Sequence, residues 1–277
     1  MARLSVAHTP DPDDAFMFYG IVSGAVRVVG FDGVDHIIED IETLNRWIIE
    51  EGRAIDATAA SAHAYAYVSN RYYLLRTGAS MGEGYGPVVV SKPGLASLRG
   101  ARVAVPGRYT TAYLLLRLAI GDIFQPVFTR FDLVPGMVES GEADAGLLIH
   151  EEQITYASRG LDLVLDLWEW WSRETGGLPM PLGVDLFSMS HGRDAAEAFR
   201  RALVESIRYS YEHKGEAISF ASRYSRVKDL SLLEKFITMY VNDRTIDMGE
   251  DGLEAHRVLY RMSRDRGLLP EVRMEVV

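Results

Sequence analysis

The first part of the chain alternates short apolar runs with amphipathic stretches. The apolar runs at residues 3–8, 34–38 and 54–60 have the length of β-strands. Residues 41–51 carry apolar side chains at helical spacing, and the Pro-rich turn at residues 9–16 leads into another predicted helix. A strand, a helix and a strand in succession predict a right-handed parallel crossover, and therefore an α/β fold.

A second unit of strands and helices begins near Val88. Its predicted strands are residues 88–90, 101–105, 128–133, 145–149 and 162–166. Its predicted helical segments are residues 95–99, 112–120, 135–140 and 153–159. Passages rich in Gly flank the unit at residues 78–86 and 176–183, and the first of them is interpreted as a flexible connection because its glycines match no phosphate-binding pattern.

The two flanking passages predict a two-lobed α/β architecture with a discontinuous first domain. The strand pattern resumes at residues 184–188, and amphipathic helices are predicted at residues 195–212, 215–222, 230–241 and 252–266. The first lobe is therefore expected to comprise residues 1–87 and 184–277, and the second lobe residues 88–183. A ligand cleft is expected between the two lobes.

The composition of the chain argues against several classes of partner and of chemistry. Hydrophobic residues make up 48% of the 277 residues and charged residues 25%, which is typical of a globular protein. The net charge of −10 argues against a nucleic acid or an anionic membrane as partner. The start of the chain meets Pro and Asp before any apolar signal could develop, so a cytoplasmic location is expected. Without cysteine, any chemistry depends on His, carboxylates, hydroxyl groups or backbone amides.

His150 follows the predicted strand at residues 145–149 and is the first candidate for chemistry. Ligands of open α/β sheets bind beyond the carboxyl ends of the strands, so a titratable side chain there can take part in a reaction. The alternative is a structural histidine that is held by hydrogen bonds.

Four other side chains admit both a structural and a functional interpretation. Thr110 or Thr111 is suited to cap the helix at residues 112–120, whose free amides would also attract an anion or a carboxylate. Asp13 or Asp14 is suited to cap the first helix, or else to form a wall of the cleft. The sequence leaves both interpretations open.

Four separated motifs, preceded by the segment at residues 9–18, carry a resemblance to a known family. They are Pro106-Gly-Arg-Tyr-Thr-Thr-Ala112, Gly146-Leu-Leu-Ile-His-Glu151, Asp166-Leu-Trp-Glu-Trp-Trp171 and Gly177-Leu-Pro-Met-Pro-Leu-Gly183. In this order they resemble the 1,4-dihydroxy-6-naphthoate synthase family of the futalosine route to menaquinone.

The resemblance implies a type II periplasmic-binding-protein-like fold and a lyase that cleaves cyclic dehypoxanthinyl futalosine, a small-molecule carboxylate. It implies that His150 is the proton acceptor, and that neither a cofactor nor a metal is required. It further implies that the substrate is bound by residues of both lobes, namely Ala59, Ala60, Ser61, Thr110 and Thr111. Oligomeric state is not indicated.

The chain departs from the family pattern in the first lobe. Asp11 stands where the family typically has cysteine, and Ala59 and Ala60 stand where a lysine can occur. A cytoplasmic binding or sensor protein for a small acid is therefore an alternative, and chorismate dehydratase, on the same scaffold, is another. Metal-dependent hydrolysis is disfavoured because the seven histidines show no ligand spacing within one element.

Overall fold

Two β-sheets flanked by helices form the framework of this computed structural model, which describes residues 2–150, 152–224 and 229–277. The strands are β1 (Leu4–His8), β2 (Val34–Ile38), β3 (Ala57–Ser61), β4 (Tyr72–Leu74), β5 (Ser80–Gly82), β6 (Val88–Ser91), β7 (Arg102–Val105), β8 (Gln125–Phe128), β9 (Ala145–Leu148), β10 (Asp162–Asp166) and β11 (Met180–Ser188).

Helices cover both sheets. They are α1 (Pro12–Val22), α2 (Ile41–Ile49), α3 (Ala62–Val68), α4 (Thr111–Ile120), α5 (Val134–Ser140), α6 (Glu152–Thr155), α7 (Leu167–Thr175), α8 (Arg193–Glu212), α9 (Lys214–Ala221), α10 (Leu230–Tyr240), α11 (Asp243–Ile246) and α12 (Gly249–Asp265). Within the described ranges, none of these helices is both long and apolar enough to cross a membrane.

The strand order explains how distant parts of the chain reach one site. The first sheet has the order β2-β1-β3-β11-β4, with β5 paired to β11, and the second has the order β10-β6-β9-β7-β8. Strand β1 runs parallel to β2 and β3, whereas β11 returns antiparallel to β3. In the second sheet β7 runs parallel to β8 and β9. The carboxyl ends of β1, β3, β7 and β9 lead into the residues that line one cavity.

Helices α1 and α8 pack closely over the first sheet. The hydroxyl groups of Ser206 and Ser210 on α8 donate hydrogen bonds to the carbonyl oxygens of Met17 and Phe16, at 2.6 and 2.7 Å. These two buried serines are thereby satisfied within an otherwise apolar layer that includes Phe199. The packing fixes α1, whose first turn carries the acids at the cavity.

Three local predictions are wrong. Residues 128–133 do not form a strand, since β8 ends at Phe128 and a 3₁₀ turn spans Phe131–Leu133. Strand β8 is an exposed edge strand, so its residues lack the apolar pattern that identifies buried strands. Residues 95–99 form no helix. The passage at residues 78–86 contains β5, which forms by pairing with β11 and has no local signal in a Gly-rich sequence.

Candidate active site

A cavity with a volume of about 120 Å³ lies between residues of the first and second sheets and their connecting turns. Every residue that the sequence analysis proposed for the site lines this cavity, namely Asp13, Asp14, Ala59, Ala60, Ser61, Thr110, Thr111 and His150. The structure thus brings together side chains from four separate turns or strand ends.

His150 lies at the cavity wall in the turn after β9, and its side chain is 22% exposed. The Nδ1 atom lies 3.4 Å from Oδ2 of Asp11, while the buried Nε2 atom has no hydrogen-bond partner among the described residues. The ring of Phe131 packs edge-on against the imidazole at 4.8 Å between centroids. With Nδ1 facing a carboxylate, Nε2 carries the lone pair that can accept a proton. Glu151, the next residue, lies outside the described residues.

The turn after β1 concentrates acidic groups. The Thr9 hydroxyl lies 2.7 Å from Oδ2 of Asp11 and 2.7 Å from Oδ2 of Asp14, and the Thr9 N–H donates to the same Asp14 oxygen at 2.9 Å. The residue that precedes α1 as its N-cap is Asp11, so the proposal that Asp13 or Asp14 caps this helix is wrong. Pro12 starts the helix, which leaves the two acids inside its first turn.

Burial changes the charge state of these acids. It raises the pKa of Asp13 well above the ordinary value, and the neighbouring charges of Asp14 and Asp11 raise it further. Burial also raises the pKa of Asp14, although hydrogen bonds from Thr9 and the nearby His150 oppose that shift. One oxygen of Asp13, Oδ1, is buried without a hydrogen-bond partner among the described residues. Burial therefore shifts Asp13 and Asp14 towards their protonated forms.

Ser61 ends β3 and is held in place by a residue that the sequence analysis missed. Asn45 of α2 donates from Nδ2 to the Ser61 hydroxyl oxygen at 2.9 Å, and its Oδ1 accepts from the Ser61 N–H at 2.9 Å. Because the hydroxyl oxygen is an acceptor in this pair, its hydrogen can be donated to a ligand. The buried Asn45 gave no local signal, since an isolated polar residue in an amphipathic helix is ordinary.

Thr110 is the N-cap of α4, and its hydroxyl accepts from the Tyr113 N–H at 3.4 Å and donates to the Gly107 carbonyl at 3.0 Å. The Thr111 hydroxyl donates to the Leu182 carbonyl at 2.5 Å. Both hydroxyl hydrogens are thus used within the protein. What this helix end offers to a ligand is its first backbone amides and its positive dipole.

Other lining residues had no signal in the sequence. Asp185 of β11 is buried, and Gln153 of α6 donates a hydrogen bond to the hydroxyl of Tyr240 on α10. They come from segments whose spacing along the chain gives no indication that they meet. No Lys or Arg is found among the described residues that line the cavity, so backbone amides, hydroxyl groups, His150 and protonated acids are the groups there that can bind an anionic ligand. Among the described residues, no three His, Asp or Glu side chains form a cluster that could hold a metal ion.

The fold belongs to the class of two-lobed periplasmic-binding-protein-like structures. The alkanesulfonate-binding protein SsuA of Xanthomonas axonopodis, solved with bound MOPS, superposes with a TM-score of 0.69 at 11% identity and covers 100% of this chain and 98% of that one. At this identity the likeness concerns the fold alone, and it confirms the predicted fold class.

Sequence similarity adds the family. Residues 4–265 match the family described as "Menaquinone biosynthesis". A protein of Thermus thermophilus named 1,4-dihydroxy-6-naphtoate synthase is 41% identical, over 97% of this chain and 96% of its own length. A protein of the same name from Streptomyces coelicolor is 34% identical, over 96% and 95%. The chain therefore belongs to this menaquinone biosynthesis family, and the predicted family and enzyme class are confirmed.

Proposed function

We propose that this protein is a carbon–carbon lyase that converts cyclic dehypoxanthinyl futalosine to 1,4-dihydroxy-6-naphthoate, with His150 as the general base. The relatives named as synthases support the reaction. The observation that carries the assignment of the base is the Nε2 atom of His150, which is buried at the cavity and has no hydrogen-bond partner among the described residues.

Asp11 would orient the base. Its carboxylate lies 3.4 Å from Nδ1 of His150, so it favours the tautomer with hydrogen on Nδ1 and the lone pair on Nε2. Asp11 stands where the family typically has cysteine, but its position beside the imidazole is compatible with a base. A carboxylate in this position holds the imidazole ring in its orientation and does not itself take the proton.

The remaining groups would stabilise the negative charge that develops as the ring opens and the product becomes aromatic. The first amides of α4, behind Thr110 and Thr111, offer hydrogen bonds to a developing oxyanion or to a substrate carboxylate. The Ser61 hydroxyl, held by Asn45, can donate to a substrate oxygen. Ala59 and Ala60 leave room for the substrate because their side chains are small. Closure of a first lobe, residues 1–87 and 184–277, on a second, residues 88–183, would exclude water.

The test is turnover of cyclic dehypoxanthinyl futalosine by the purified protein, followed by mass spectrometry of 1,4-dihydroxy-6-naphthoate. We expect product from the wild type and a loss of about 10²- to 10⁴-fold in kcat for His150→Ala, since general bases contribute on that order. His213→Ala is the matched control, because His213 bonds to the Tyr209 carbonyl at 3.0 Å and does not line the cavity.

Two results would contradict the proposal. If the wild type yields no product while the Thermus thermophilus relative does, this substrate is wrong. If the compound binds tightly and is recovered unchanged, a small-acid binding or sensor protein is favoured instead. We propose a cytoplasmic location for this role.

A further inference from the structure

Asp185 has a carboxyl group that the proposed reaction leaves unused. It lies on β11 opposite Ala59 of β3, and the residue is 2% exposed. It lines the cavity, and its Oδ2 atom is buried without a hydrogen-bond partner among the described residues. An unsatisfied buried polar atom is costly, so its presence at a cavity wall points to a partner that arrives with the ligand.

Gly78 provides the space for this carboxyl group. A Cβ atom at position 78 would lie 1.9 Å from Oδ2 of Asp185, and the backbone φ of +87° is itself unfavourable for other residues. The Gly78 N–H donates to the Thr245 carbonyl at 2.7 Å, which fixes the turn from the opposite side. The carboxyl group is thus packed against bare backbone at the edge of the cavity.

The surroundings of Asp185 favour its neutral form. Burial raises its pKa well above the ordinary value, and the charge of Asp14 on α1 adds to the shift. The segments packed beside it, β3 and the turn at residue 78, present Ala59 and Gly78, which do not titrate. Among the lining residues that the structure describes, the other ionisable ones are Asp11, Asp13, His150 and Tyr240. A neutral carboxyl group can donate a hydrogen bond, which an ionised one cannot.

We propose that Asp185 is a specificity-determining residue, whose carboxyl group donates a hydrogen bond to an acceptor oxygen of the substrate, a carboxylate or a carbonyl. This inference rests on the proposed function. It gives the cavity a side-chain donor at a place where none of the lining residues that the structure describes is Lys or Arg. The site thereby favours ligands that present a hydrogen-bond acceptor at this position.

The test compares Asp185→Asn with Asp185→Ala in the same turnover assay. The amide of Asn has the shape of the acid and always has hydrogens to donate, whereas Ala removes the donor. We expect kcat/KM of Asp185→Asn to stay within about threefold of the wild type, and that of Asp185→Ala to fall by roughly 10- to 100-fold, as for a lost buried hydrogen bond. In the wild type kcat/KM should decline at alkaline pH through a step that Asp185→Asn lacks.

Thermal unfolding separates this role from a structural one. Because Asp185→Ala removes a buried, unsatisfied carboxyl group, its Tm should equal or exceed that of the wild type while its activity falls. Equal losses in both variants would overturn the proposal, since Asp185 would then act as an acceptor or a base. Wild-type activity in Asp185→Ala would also overturn it, as would an alkaline step that persists in Asp185→Asn. An inactive wild type would instead refute the proposed function, and with it this inference.

Discussion

The backbone at His150 is strained, with a φ of 55°, and His150 is the only non-glycine residue with a positive φ in the described part of the chain. Left-handed backbone costs an L-residue with a side chain about 1–2 kcal/mol. This cost falls on a residue that lines the cavity, and strained backbone of this kind is often found at active sites.

This strain predicts a difference between two inactive variants. His150→Gly should be more stable than His150→Ala by about 1 kcal/mol, because glycine adopts a positive φ without steric conflict. Urea unfolding followed by circular dichroism measures the difference. Leu148, the last residue of β9, provides the control, because there Leu148→Gly should be less stable than Leu148→Ala. An Ala variant at residue 150 that is as stable as the Gly variant would show that the turn relaxes.

Some residues of the candidate site could be predicted from the sequence and others could not. His150 was found because it follows an apolar strand, which is a local signal, whereas Ser61 was expected at the site from the family resemblance. Asp185 was missed because a single acid in the β11 pattern is typical of a residue on the exposed face of a strand. Its burial depends on the register with β3, in which Asp185 lies opposite Ala59, and this long-range pairing leaves no trace in the sequence.

At the scale of elements, α2 and the turn between β7 and α4 are joined by the half-buried carboxyl group of Glu42. Glu42 of α2 accepts hydrogen bonds from the backbone N–H groups of Arg108 and Tyr109, at 2.7 and 3.0 Å. The same turn leads into Thr110 and the amide end of α4. Glu42 thus connects a helix of the first sheet to the cavity wall contributed by the second.

Removing this connection should affect both stability and binding. We expect Glu42→Ala to lower the free energy of unfolding by about 1 kcal/mol, because the N–H groups of Arg108 and Tyr109 lose their acceptor. KM should rise more than kcat falls, since the turn that presents the α4 amides is less fixed. Glu51→Ala, at an exposed position just beyond α2, is the control and should change neither quantity. Equal behaviour of the two variants would contradict this role for Glu42.

At the scale of the whole molecule, buried histidines and buried acids have opposite effects on how the stability of the fold changes with pH. Burial lowers the pKa of four histidines to about 4, namely His8, His36, His63 and His256. As pH falls, these histidines bind protons in the unfolded protein before they do so in the folded protein. They therefore make stability increase with pH between about 4 and 6.5. Burial raises the pKa of Glu42 to about 7 and those of Asp13 and Asp185 well above the ordinary value. These acids stabilise the fold most when protonated, so their contribution is lost as pH rises.

Stability should therefore decrease as pH rises above 6.5, where the histidines are neutral in both states and the acids alone contribute. Urea unfolding at a series of pH values measures this slope. In Glu42→Gln, which cannot ionise, the slope near pH 7 should be smaller than in the wild type. A stability that is constant or increases over this range would contradict the inferred charge states.

The general architecture was predictable because strand, helix and motif order all carry local signals. The misplaced strand at residues 128–133 and the overlooked β5 are both elements at or near a sheet edge, which form through pairing with distant strands. The division into lobes at Val88 and Val184 stays a prediction, and β11 already pairs with β5 at Met180. The charge state of the cavity could not be predicted, since it depends on burial and on distances between turns.

The hydrogen bonds of the Thr9 hydroxyl group affect how this cavity can bind a ligand. A hydroxyl group owns a single hydrogen, yet that of Thr9 lies at bonding distance from oxygens of both Asp11 and Asp14. One of the two contacts is attractive only if the acid itself supplies the hydrogen. If both contacts form, one of the two acids is protonated, so a ligand that rearranges these contacts must either keep that proton in the site or release it to solvent.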